Sequence, residues 1–179
     1  MSGDLPVVQA HDHGIMIGAI DGIGHGESAA AAADKARRII AANASKPILQ
    51  VVQRCHQELQ STRGVVMSLA SIDYADQSLD WVGIGNVQAL LIRADHSANP
   101  GRIELLLRSG VVGAQLPALQ FETIAIEDSD LLIFATDGLR RGFADGLGTD
   151  GEAPSLARAI LEQHRRGDDD ALVVVARLT

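Results

Sequence analysis

Apolar residues in this chain occur mostly in short runs bounded by turn residues, a pattern typical of β-strands. The runs predict nine strands, at 5–9, 15–20, 65–73, 79–84, 87–93, 103–107, 121–126, 131–136 and 171–178. Several runs, such as 15–20, are apolar at nearly every position, so both faces of those strands must be covered.

Helical spacing replaces the strand pattern in three segments, at 27–43, 47–60 and 156–164. Ser28 is the expected N-cap of the first helix, and the five alanines at 29–33 raise its helix propensity. In the second helix, Cys55 shares one face with apolar positions three and four residues away. We therefore interpret Cys55 as a buried core residue rather than a reactive thiol.

Short turns join most of the strands, and short connections imply antiparallel pairing. Two sheets packed face to face, with helices outside, would cover both faces of such strands. The sequence thus predicts an α+β fold, a four-layer α/β/β/α sandwich of two mainly antiparallel sheets. We expect residues 1–179 to form one domain.

Composition excludes several function classes. The net charge of −8 argues against nucleic acid as a partner, because binding to phosphate backbones needs clustered Lys and Arg. Three arginine pairs, at 37–38, 140–141 and 165–166, are explained at least as well by solvated helix ends or turns. No apolar run approaches ~18 residues, so no membrane partner is expected. The single cysteine excludes an internal disulfide, and the cytoplasm is the expected compartment.

Aspartates stand where three predicted strands begin or end. Asp21 follows the run 15–20, Asp137 follows 131–136, and the acidic triplet 168–170 precedes the last strand. Carboxylates that converge at one edge of a sandwich repel one another, and a divalent cation relieves that repulsion. Oxygen ligands favour Mg²⁺ or Mn²⁺. The alternative is that each aspartate is an ordinary turn residue, since Asp before Gly is common in turns.

The order of motifs resembles that of the metal-dependent protein phosphatases (PPM family), in particular the compact SpoIIE-like and RsbX-like bacterial serine phosphatases. The motifs that carry the resemblance are Asp-Gly-Ile-Gly-His-Gly at 21–26, Arg-Gly at 63–64, Gly-Asn at 85–86, Ala-Thr-Asp-Gly at 135–138 and Asp-Asp at 169–170. The resemblance implies the four-layer fold, two Mn²⁺ or Mg²⁺ ions, and hydrolysis of phosphoserine or phosphothreonine by a metal-activated water.

The resemblance also implies individual roles. Asp21 would bridge the two ions, the Gly22 carbonyl would bind one of them, and Asp137 and Asp169 would hold the other. Asp21 and Asp137 are thus the expected catalytic residues. A shift of one position within the acidic triplet would make Asp168 the ligand instead of Asp169.

At the N-terminus, the Ser-Gly-Asp segment at 2–4 resembles a family motif that would make Asp4 an outer metal ligand. Family members usually carry a strand before this motif, so we expect the domain to lack an N-terminal strand and Asp4 to lie at a frayed end. Larger relatives place a histidine where this chain has Ile23. We expect water rather than His25 to protonate the leaving group, and a structural role for Arg63.

The substrate implied by the resemblance is a phosphorylated STAS-domain protein of a stressosome or an anti-sigma-factor antagonist system. The sequence assigns no substrate-binding residue. The acidic composition favours a partner that is basic near its phosphosite. Two alternatives stay open: a phosphatase-like regulatory binding domain with little or no turnover, and a phosphatase for small molecules.

Overall fold

The computed structural model describes residues 2–95, 97–167 and 170–179. Within these residues, ten strands and three helices follow one another: β1 (Asp4–His11), β2 (Gly14–Gly22), α1 (Glu27–Asn43), α2 (Ile48–Leu59), β3 (Val65–Asp73), β4 (Ser78–Ile84), β5 (Gln88–Ile92), β6 (Arg102–Glu104), β7 (Leu107–Arg108), β8 (Glu122–Ala125), β9 (Leu131–Ala135), α3 (Ala153–His164) and β10 (Val173–Arg177).

These strands form two sheets. The first has the order β1-β2-β3-β4-β7, with β8 also paired to β4, and the second has the order β10-β9-β5-β6. All pairs are antiparallel except β4 with β7, as expected for strands joined by short turns.

Three hydrophobic clusters separate four layers. One cluster joins α1 and α2 to the first sheet, the second fills the space between the sheets, and the third lies under α3. Alternation along the strands explains this arrangement, since Met16 and Ile20 of β2 face the helices while Ile17 and Ala19 face the other sheet. The predicted α/β/β/α sandwich is confirmed.

The prediction of a single strand at 103–107 is wrong. β6 pairs with β5 of the second sheet, whereas β7 pairs with β4 of the first. Between them the chain crosses from one sheet to the other at Leu105, whose N–H donates to the Ala89 carbonyl at 2.9 Å. Leu105 and Leu107 belong to or pack against the cluster between the sheets, so the apolar pattern continues through the crossing and hides it.

The helices begin and end close to the predicted residues, with two differences. Ser28 is not the N-cap of α1, because Gly26 occupies that position with a φ of 73° and no side-chain cap. α3 begins at Ala153, with Pro154 in its first turn, where a missing N–H costs nothing. Cys55 is buried as predicted, and its burial raises the pKa of the thiol to about 12.

A buried ion pair joins the two neighbouring strands at one end of the second sheet. Arg93 Nη1 lies 2.6 Å from Asp130 Oδ2, and the Asp130 side chain is fully buried. Asp130 also accepts hydrogen bonds from the N–H groups of Ala94 and Glu127, at 2.9 and 3.1 Å. These bonds fix the end of the sheet where β9 begins, and Asp137 lies at the opposite end, where β9 stops.

Candidate metal centre

The first two strands bring two carboxylates face to face. Asp4 begins β1 and lies directly opposite Asp21 near the end of β2. Two residues before Asp21, Ala19 faces the space between the sheets, so alternation places Asp21 on the same side. Directly opposite residues of antiparallel strands have Cβ atoms about 4.5–5.5 Å apart, and like charges in such positions are destabilising.

Asp4 is held in place from the second sheet. The Thr136 hydroxyl, immediately after β9, donates to Asp4 Oδ2 at 2.6 Å, and accepts from the Leu172 N–H at 2.9 Å. Asp4 is 9% exposed. The expectation that Asp4 lies at a frayed end is wrong, because its backbone starts a paired strand and its side chain is anchored 132 residues away in sequence.

Asp137 follows Thr136 and reaches the same end of the sandwich at an exposed position. The Asn86 side-chain amide, in the turn between β4 and β5, donates to Asp137 Oδ2 at 2.7 Å. The amide therefore orients the carboxylate across the gap between the sheets. The Gly-Asn motif at 85–86 carried part of the family resemblance, but the sequence alone did not reveal this contact.

Asp170 is a fourth carboxylate in this region. Its Oδ2 accepts a hydrogen bond from the Gly3 N–H at 3.0 Å, and the Gly3 carbonyl accepts one from the Gly22 N–H at 3.0 Å. The chain after Asp21 is thereby joined to the segment before β10. Asp168 and Asp169 lie outside the described residues, so Asp169 stays a prediction as a ligand.

Burial and neighbouring negative charges raise the pKa of Asp4. Burial raises this pKa above its ordinary value, the hydrogen bond from Thr136 opposes the rise, and the negative charge of Asp170 adds to it. A hydrogen bond with Asp21 lowers the pKa, and the charge of Asp137 raises it further. Burial and the charges of Asp170 and Asp137 thus oppose the ionisation of Asp4, and a bound cation would offset that opposition.

The residues present suit a hard divalent cation. Among the described residues, no three Asp, Glu, His or Cys side chains form a ready-made cage. Mg²⁺ does not require one, because it retains several waters and usually takes only one or two carboxylates. The donors near Asp4 are carboxylates and backbone carbonyls, which favour Mg²⁺ or Mn²⁺ over zinc or copper.

Glycines allow the loops of this region to pack backbone against backbone. A Cβ added to Gly22 would lie 2.2 Å from the Ala29 carbonyl oxygen in α1, and one added to Gly138 would lie 1.9 Å from the Asp170 carbonyl oxygen. Any larger residue would push these segments apart. The Arg63 Nη1 lies beside this loop, 2.5 Å from where a Cβ added to Gly24 would stand, and the structural role of Arg63 stays a prediction.

Comparison with known proteins supports a common origin for this arrangement. The family model of stage II sporulation protein E (SpoIIE) matches residues 11–179. The phosphoserine phosphatase RsbX of Bacillus subtilis is 25% identical over 137 residues, which cover 76% of this chain and 67% of RsbX. The family match includes the regions around Asp21 and Asp137, whereas β1 lies almost entirely outside it.

Solved structures show the same fold. A chain from a study of the bacterial stressosome, described as a modular system adapted to control secondary messenger signalling, superposes with a TM-score of 0.88. It is 30% identical, over 99% of this chain and 92% of that one. RsbX in complex with magnesium superposes with a TM-score of 0.84 at 21% identity, over 98% of this chain and 86% of that one.

Replacing Gly138 with alanine should disturb the centre directly. Because the added Cβ would overlap the Asp170 carbonyl, the backbone around Asp137 must shift, and we expect a loss of roughly 2 kcal/mol in unfolding free energy. Urea denaturation measures this loss. Gly148→Ala is the matched control, since nothing lies within 4 Å of its added Cβ. Equal stability of the two variants would contradict the close packing.

Replacing Asp4 with asparagine should separate stability from metal binding. Asparagine can still accept the hydrogen bond from Thr136 but carries no charge, so the metal-free protein should gain roughly 1 kcal/mol of stability. Thermal unfolding with and without Mn²⁺ measures both effects. We expect Mn²⁺ to raise the melting temperature of the variant less than that of the original protein. A destabilised metal-free variant would contradict the account.

Proposed function

We propose that the substrate of this chain, which belongs to the SpoIIE family of PPM-type protein serine/threonine phosphatases, is a phosphorylated STAS-domain protein. The protein would belong to a stressosome or to an anti-sigma-factor antagonist system. Within the family, the general reaction is hydrolysis of phosphoserine or phosphothreonine monoesters. The finer proposal concerns which phosphoprotein is used and which residues of this chain act on it.

The observation that carries the proposal is the convergence of carboxylates from distant parts of the chain. Asp4 lies directly opposite Asp21 and is bonded by Thr136, the neighbour of Asp137. The N–H of Gly3, the residue before Asp4, donates to Asp170. We assign the bridging position between two ions to Asp21, aided by the Gly22 carbonyl. Asp137 and Asp169 would hold the second ion.

Asp4 serves as an outer acidic ligand in this proposal. Asp4 is far in sequence from Asp137 and Asp170, but the hydrogen bond from the Thr136 hydroxyl holds Asp4 Oδ2 against the second sheet. Burial leaves Asp4 little freedom to move, so any contribution it makes to an ion is directional. A buried carboxylate surrounded by others lowers stability unless a metal is bound, which argues against a regulatory binding domain without turnover.

The chain's own groups position the reactants. Asn86 fixes one oxygen of Asp137 and leaves the other available to a ligand. The loop 24–26 is exposed beside Asp21, which leaves the centre open to a phosphoserine on a protein surface. When bound, the two divalent ions would supply an activated water and neutralise charge on the phosphoryl oxygens.

The proposed substrate rests on the relatives. RsbX is named a phosphoserine phosphatase, and the similar chain at 30% identity comes from a stressosome study. The RsbX structure contains magnesium, which supports Mg²⁺ as one of the two candidate ions without deciding against Mn²⁺. The described part of the chain has no helix that is both long and apolar enough to cross a membrane.

Phosphate release from a generic aryl phosphate tests the chemistry. We expect turnover with Mn²⁺ or Mg²⁺, its abolition by a chelator, and a loss of at least ~10²-fold in Asp21→Asn and Asp137→Asn. Asp76→Asn, in the exposed turn between β3 and β4, is the control and should keep its activity. Full activity of Asp21→Asn in a folded protein would contradict the proposed centre. Release of phosphate from a phosphorylated STAS-domain protein tests the substrate.

A further inference from the structure

Two arginine pairs that are distant in sequence meet beside the candidate metal centre. Arg140 and Arg141 come three and four residues after Asp137, and Arg165 and Arg166 follow α3 shortly before Asp170. We call these four residues the arginine patch. From the sequence alone, a solvated turn or helix end explains each pair at least as well as a binding patch does.

Backbone hydrogen bonds hold the two segments together. Leu139 and Arg165 form an isolated antiparallel bridge. The Arg140 N–H donates to the His164 carbonyl, and the Arg166 N–H donates to the Gly138 carbonyl, both at 2.9 Å. By this register Arg140 and Arg166 lie diagonally across one face of the two-stranded segment, close enough for one ligand to reach both. Arg165 lies opposite Leu139 on the other face and would border the ligand rather than lie beneath it.

The arginine patch is exposed, and its charge is available. All four residues are exposed, and none forms an ion pair with an acid in the described part of the chain. By contrast, Arg37 and Arg38 on α1 both pair with Asp34, at 2.8 and 2.9 Å. These four guanidinium groups concentrate positive charge on a protein of net charge −8, and the acids nearest to them in sequence, Asp137 and the triplet 168–170, include the expected metal ligands.

The arginine patch lies next to the place where a phosphoserine would bind. One of its segments continues back into Asp137, and the close contact of Gly138 with the Asp170 carbonyl fixes that segment against the metal centre. A phosphoserine bound at the centre would therefore carry its neighbouring residues over or near the arginines. Guanidinium groups bind carboxylates in bidentate geometry, so the fitting neighbours are Asp and Glu.

We infer that the arginine patch docks an acidic segment flanking the phosphoserine of the protein substrate. This inference rests on the proposed phosphatase function and adds a sequence preference to it. It also reverses, at this one surface, the expectation of a substrate that is basic near its phosphosite. A nucleic acid is the less suitable partner, because its continuous phosphates would extend beyond the arginines onto a protein of net charge −8, whereas an acidic segment can be as short as the patch itself.

Matched phosphoserine peptides test the preference. One peptide carries Asp and Glu on both sides of the phosphoserine, and the other carries Asn and Gln at the same positions. We expect the original protein to favour the acidic peptide about tenfold in kcat/KM, mainly through KM, with the preference declining as salt rises. In a variant with all four arginines replaced by glutamine, the ratio should fall to about one.

Two control variants locate the effect. R37Q/R38Q removes two positive charges from α1 and should retain the preference, whereas R140Q/R141Q and R165Q/R166Q should each lose part of it. The half-patch variants also guard against misfolding of the fourfold variant, since the hydrogen bonds that join the segments come from the backbone. Equal use of both peptides by the original protein would overturn the inference, as would an unchanged ratio in the patch variants.

A binding measurement separates this inference from the phosphatase proposal. Fluorescence anisotropy of a labelled acidic peptide with plain serine requires no turnover. Weaker binding by the fourfold variant than by R37Q/R38Q would support docking even if no phosphoester were hydrolysed, in which case the phosphatase proposal alone would fail. Stronger competition from a single-stranded DNA oligonucleotide than from an acidic peptide of equal charge would assign the surface to nucleic acid and overturn the inference.

Discussion

The carboxylates of Asp4 and Asp21 face each other across neighbouring strands, and the organisation of this end of the sandwich depends on that pair. In water, two aspartates at such a distance repel each other only modestly. Here Asp4 is buried, and Asp137 and Asp170 add further negative charge. Keeping these groups together lowers the stability of the fold, and a bound cation would remove that loss.

The remaining contacts are arranged around this pair, and they span both sheets. Thr136 holds Asp4, Asn86 holds one oxygen of Asp137, and Gly3 joins the chain after Asp21 to Asp170. Each bond connects parts of the chain that are far apart in sequence. The geometry of the centre is therefore a property of how the two sheets pack, so a substitution that alters this packing would also move the ligands.

The sequence could predict the layers because the strands are apolar on both faces and are joined mostly by short turns, and a double antiparallel sandwich with outer helices satisfies both conditions. It could place Asp21 and Asp137 at the ends of strands because each follows an apolar run and precedes glycine. It could not predict the sheet crossing at Leu105, since an apolar pattern reports burial but not the identity of the partner strand.

Long-range contacts account for the other differences. The anchoring of Asp4 depends on a threonine 132 residues away, so local fraying was the reasonable expectation from sequence. Gly26 replaces Ser28 as the cap of α1 because the loop after Asp21 enters the helix with a positive φ. The bridge between Leu139 and Arg165 brings the two arginine pairs together. No local sequence pattern predicts that contact.

The central claim is that the aspartates at this end of the sandwich hold divalent cations. Anomalous diffraction near the manganese absorption edge, from crystals grown with Mn²⁺, tests it most directly. The account predicts two strong peaks about 3.5–4 Å apart, one on each side of an Asp21 oxygen, with Asp137 among the ligands. Fully occupied manganese sites elsewhere, with none within coordination distance of Asp21 or Asp137, would contradict it.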